Sequence, residues 1–110
     1  MVYYEKKSLG DIISKANNGD RDAQVALGLL HELDLLADAS IVEAVKLFEE
    51  AAKAGDPIAA ISVAEIYQHG RNPIKADRAK AEEFYEIAKS LGFSRPEERK
   101  PSRKIGRAHV

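Results

Sequence analysis

His31, Glu32, Asp34 and Asp38 are the densest group of metal-type donors in this 110-residue chain. A zinc helix that begins His-Glu needs a second histidine four residues after the first, so that both imidazoles leave the same helix face. That position holds Leu35. The absence of cysteine removes thiolate ligands, cysteine nucleophiles and disulfides together. Glu49-Glu50 and Glu82-Glu83 are carboxylate pairs of the kind that acid–base hydrolysis uses. Adjacent helical residues point about 100° apart, so neither pair converges on one bond. His69, beside Gly70, reads as a donor for free carbonyls at a helix end. No Gly-rich phosphate loop and no Ser–His–Asp spacing is present. The chain is therefore read as non-catalytic, with no metal site and no cofactor.

The elements that carry these residues occur twice. Gly19-Asp20-Arg21-Asp22-Ala23 through His31 is answered by Gly55-Asp56-Pro57-Ile58-Ala59 through Tyr67, at an offset of 36 residues. Glu43-Ala44 through Ala51 is answered by Lys80-Ala81 through Ala88, at an offset of 37. A period in this range marks stacked supersecondary units, each covering a face that its neighbour would leave bare.

Punctuation defines the units. Gly19, Gly55 and Gly92 suit the left-handed position just past a helix end. Asp20, Asp56 and Asp77 are placed to cap the following helices, and Pro57 fits a first helical position. Ser40 and Glu43 have capping-box spacing. These marks predict an all-α chain of about five helices, near residues 8–18, 21–35, 41–54, 57–69 and 78–91. Leu47, Phe48, Ala51 and Ala52 form an apolar stripe at helical spacing, matched by Phe84, Tyr85, Ile87, Ala88 and Leu91. The expected domain covers residues 1–93: a half unit at 8–18, unit one at 19–54 and unit two at 55–92.

The combined pattern resembles the Sel-one-like repeat, a relative of the tetratricopeptide repeat with a longer loop between its two helices. Leu27, Gly28, Ala44, Phe48 and Ala51 carry the match in unit one. Val63, Tyr67, Gly70, Lys80, Ala81, Tyr85 and Ala88 carry it in unit two. The sequence departs from the pattern at Leu33 to Asp38, which replaces the loop glycines, at Ala64, where the family favours glycine, and at His31, which stands at a tyrosine position. The resemblance implies a right-handed α-α superhelix, a solenoid of helix-turn-helix repeats whose first helices line a concave surface. It also implies an adaptor or scaffold role in protein complexes. Some secreted, cysteine-rich members have been described as β-lactamases, so a hydrolase is a third and weakest reading of a chain without cysteine.

Val25, Leu29 and Leu33 recur at four-residue intervals, while Ala23, Leu27 and Leu30 occupy another stripe. A helix that is apolar nearly all round is covered on both sides. By resemblance, Val25, Leu29 and Leu33 line a concave groove with Ile58, Ile61, Glu65 and Gln68. The groove would take a protein or peptide partner. The alternatives are an N-terminal segment around Tyr3, Tyr4 and Leu9 folded over it, or self-association.

Charge separates the body from the tail. Residues 94–110 hold six Arg or Lys against two Glu, a net +4, which leaves −5 on residues 1–93 within the total of −1. An acidic body would suit a regulatory or immunity-type inhibitor of a basic target. The tail lacks interleaved aromatics and contains Pro96 and Pro101, so disorder rather than nucleic-acid binding is expected of it. Ile105 to Val110 equals one reading frame of a common sequencing adapter and is set aside as non-native. The N-terminus has no signal-peptide pattern and no apolar run long enough to span a bilayer, which predicts a cytoplasmic protein.

Overall fold

The computed structural model describes the backbone of residues 2–93 and the side chains from residue 9 onward. Expectations for the side chains of Tyr3 and Tyr4, and for the basic tail, fall outside those residues. Five helices follow one another: α1 (Val2–Asn17), α2 (Arg21–Glu32), α3 (Ile41–Lys53), α4 (Pro57–His69) and α5 (Arg78–Ser90). Each packs on the next, and α3 also touches α5. This is the helical stack expected from the period. Among the described residues no helix is long and apolar enough to cross a membrane.

Local chemistry sets the helix starts. Asp20, Asp56 and Asp77 sit in extended backbone, and their Oδ1 atoms accept from the N–H of Ala23, Ala59 and Lys80 at 3.0, 3.0 and 3.1 Å. Each bond satisfies one of the orphan donors of a first helical turn. At α3 the Ser40 Oγ accepts from Glu43 N–H at 3.3 Å, but the other half of the expected capping box does not form. The Ser40 N–H donates to His31 Nδ1 at 3.1 Å, and Glu43 pairs with Lys46 at 3.7 Å. His31 thus ties the end of α2 to the start of α3, which accounts for an imidazole at a tyrosine position.

The helix ends follow one scheme. Gly19, Gly55 and Gly92 have φ of 91°, 104° and 98°, and the next residue's N–H reaches back to Lys15, Ala51 and Ala88 carbonyls at 3.0, 3.0 and 2.9 Å. Two predicted boundaries change. α1 begins at Val2 rather than residue 8. α2 ends at Glu32 rather than residue 35, because Asp34, at φ 60°, does in the first loop what glycine does elsewhere. Leu35 N–H then bonds Leu30 O at 2.9 Å in the same return pattern. Aspartate tolerates this conformation better than most side chains.

The main core lies between α3, α4 and α5: Ala44, Phe48, Ala51, Ala59, Ala60, Val63, Ala64 and Ala88 are fully buried. A smaller cluster of Ala16, Ala23 and Leu27 joins α1 to α2. Alanine lets helix axes approach closely, and at one crossing even alanine is too large. A Cβ on Gly28 would lie 2.7 Å from Cε1 of the Phe48 ring, so glycine admits the ring against the α2 backbone. In unit two Ala64 takes the place of Gly28. There Tyr85 stands where unit one has Phe48, and its hydroxyl donates to Gln68 Oε1 at 2.6 Å. Of the expected second stripe, Leu91 is exposed rather than buried.

Candidate partner-binding face

The same two helices that carry the repeat signature also carry the binding candidates. Arginine contacts bridge α2 to the two ends of α4. Arg21 Nη1 donates to Ala54 O at 3.4 Å, and its Nε lies 3.8 Å from Asp56 Oδ2, which caps α4. At the other end Arg71 Nη2 donates to Glu32 O at 2.7 Å, and Nη1 lies 3.9 Å from Glu32 Oε2. Arg71 is presented by a tight turn in which Arg71 and Ile74 exchange backbone bonds at 2.8 and 2.6 Å, with a cis peptide before Pro73.

Ala23, Gln24, Leu27 and Gly28 of α2 are buried, as are Ala59, Ala60, Val63, Ala64 and Ile66 of α4. Asp22, Val25, Leu29 and Glu32 are spaced by three and four residues on the far side of α2. Ile58, Ile61, Glu65 and Gln68 repeat that spacing on α4 at the 36-residue offset. Residues so spaced share one helix face. All eight are exposed or half-buried. Leu29 is 37% and Ile58 52% exposed, while Val25 and Ile61 rest their inner sides on the main core.

Six of the seven residues predicted to line a groove therefore fall on this strip: Val25, Leu29, Ile58, Ile61, Glu65 and Gln68. Leu33 is the exception, because α2 ends before it; it is the C-cap and 60% exposed, next to Leu35 at 64%. Glu32 and Asp22 were missed, although the 36-residue offset from Gln68 and Ile58 was the available signal. Gln24 was also missed. It is buried and donates from Nε2 to Glu50 Oε1 at 3.1 Å, which holds α2 against α3. Of the carboxylates first considered for chemistry, Glu50 accepts from Gln24, and Glu49 lies near enough to Tyr67 to help raise its phenol.

Burial pushes the Glu32 carboxyl above the usual range; Arg71 opposes this and Glu65 adds to it. Burial, more than the neighbouring Glu49, also raises the Tyr67 phenol. The native state therefore binds a proton at Glu32 more readily than the unfolded chain, whose ordinary value is 4.5. Stability from this group falls as pH rises through the window just above that value. Glu32→Gln is expected to leave stability unchanged at acid pH. At neutral pH it should leave it unchanged or raise it, by under about 1 kcal/mol for a partly exposed pair. Urea midpoints at the two pH values measure this, and destabilisation at neutral pH would show that the Arg71 pair outweighs burial.

Residues 21–56 and 57–93 each match the family model described as Sel1 repeat. Among solved structures, a Sel1 repeat protein from Oxalobacter formigenes is 31% identical, with a TM-score of 0.67 over 79% of this chain and 65% of its own. A protective antigen of uropathogenic Escherichia coli strains, described as displaying an SLR fold, is 22% identical. Its TM-score is 0.72 over 78% of this chain and 18% of its own, a likeness of fold. The chain thus spans under two thirds of the length of either structure. No curated protein matches it.

Proposed function

This chain belongs to the Sel1 repeat family, generally protein–protein interaction modules, and we propose from that premise that it is a non-catalytic adaptor. In this reading a protein or peptide segment seats on the strip formed by α2 and α4. One observation carries it: large apolar side chains stand exposed on a face whose position is fixed by ties at both helix ends. Leu29 and Ile58 lie in the middle and at one end of that strip, and neither fills the core. Exposed apolar groups beside polar ones are the usual make-up of a docking surface.

The test separates binding from folding. Leu29→Asp places a charge where an apolar anchor would be desolvated, at a position that is 37% exposed and belongs to neither core cluster. The full chain and the variant would be used side by side for affinity capture from a lysate of the source cell. The expected result is a protein retained by the first and lost by the second, with helicity and melting temperature nearly unchanged. Equal retention by both would overturn the assignment of this face. Collapse of the fold would show that Leu29 is a core residue.

A further inference from the structure

We propose that the strip takes a basic, apolar-anchored peptide segment of a partner protein, with a lysine or arginine lying between Glu32 and Glu65 and apolar side chains on Leu29, Ile58 and Ile61. This rests on the reading of the α2–α4 face as the binding surface and adds the chemistry of the occupant.

Charge complementarity carries it. The eight residues of the strip include three carboxylates, Asp22, Glu32 and Glu65, and no lysine or arginine. Asp22 has Arg21 at 3.9 Å. Glu32 has Arg71 at 3.9 Å, a loose contact, because the short bond from that guanidinium goes to the Glu32 carbonyl at 2.7 Å. Glu65 is exposed and has no ion-pair or hydrogen-bond partner among the described residues. Glu32 thus has one loosely placed cation and Glu65 none, and Glu65 opposes ionisation of Glu32. A second cation placed between them would relieve that repulsion. Leu29 lies one helical turn before Glu32, and Ile61 one turn before Glu65, so apolar contact and charge are offered together. The net −5 of residues 1–93 would draw a basic segment toward the face and repel an acidic one.

The probes are a fluorescein-labelled amphipathic peptide of leucine and lysine and its leucine–glutamate twin, titrated into the full chain by anisotropy. The Leu/Lys peptide should bind, more weakly as salt rises, and its twin should not. Glu32→Gln with Glu65→Gln should weaken binding about tenfold or more. Glu83→Gln with Glu86→Gln removes the same charge from α5 and should change it less than about twofold. Equal loss in both double variants would overturn the proposal, because net charge alone would then be acting. So would failure of the Leu/Lys peptide to bind. Binding of the Leu/Glu twin that is lost in Leu29→Asp would overturn the charge inference while upholding the face. Binding that survives Leu29→Asp unchanged would overturn both.

Discussion

Phe48→Ala is expected to destabilise the protein by about 3–5 kcal/mol, the usual range for emptying an aromatic site in a core. Phe48 is fully buried and, with Val63, is one of the two largest side chains that are. Its ring lies directly on the α2 backbone at Gly28, which has no side chain of its own to fill the space it leaves. Closing the gap would require α2 to shift as a body, and α2 is tied to the next repeat through Arg21 and Glu32. A domain of this size holds roughly 5–15 kcal/mol in all, so the loss is a large share of the whole. The melting temperature should fall by more than about 10 °C, read by circular dichroism. A change under about 1 kcal/mol would mean that the stack collapses freely onto the vacated site.

Gly70→Ala should be nearly as severe, for a reason in the backbone. Gly70 closes α4 with φ 76° and ψ 147°, a region that side chains strongly disfavour. A Cβ there would also meet the Ala76 backbone nitrogen at 2.8 Å, an atom that has no rotamer with which to escape. Conformational strain of about 1–3 kcal/mol adds to the steric term. Forcing the loop open would disturb the Asp77 N–H to Tyr67 O bond at 2.7 Å, and with it the cap of α5. The same movement would displace Arg71 from Glu32, so inter-repeat docking should loosen together with the loop. Gly10→Ala is the internal comparison. Nothing lies within 4 Å of its added methyl, and the site is inside α1, so stability should rise by about 0.5–1 kcal/mol. Equal melting temperatures for the two variants would contradict this account of the loop.

Much of the fold was legible in particular residues. The aspartates before α2, α4 and α5 cap as their positions required, and Gly19, Gly55 and Gly92 take the left-handed position past α1, α3 and α5 as expected. Caps and turns are settled within a few residues, so local sequence carries their physics. The first loop was less legible. Asp34 performs a glycine's task there, and only its backbone conformation reveals this, because many residue types stand before a helix stop. The role of His31 was hidden for a similar reason. Its partner is a backbone N–H nine residues away, set by how the loop closes.

By itself, then, the sequence determined the period, the five helices and the residues that one face of α2 and of α4 could present, because helical spacing and repeat offset are properties of a single chain. The tertiary structure alone decided which of those residues share a strip. It placed Glu32 beside Glu65, with Arg21 meeting Asp56 and Arg71 meeting the Glu32 carbonyl, and it left Leu33 beyond the helix end, where Asp34 turns the chain. Those contacts span 35 and 39 residues of chain, a distance over which no local pattern acts.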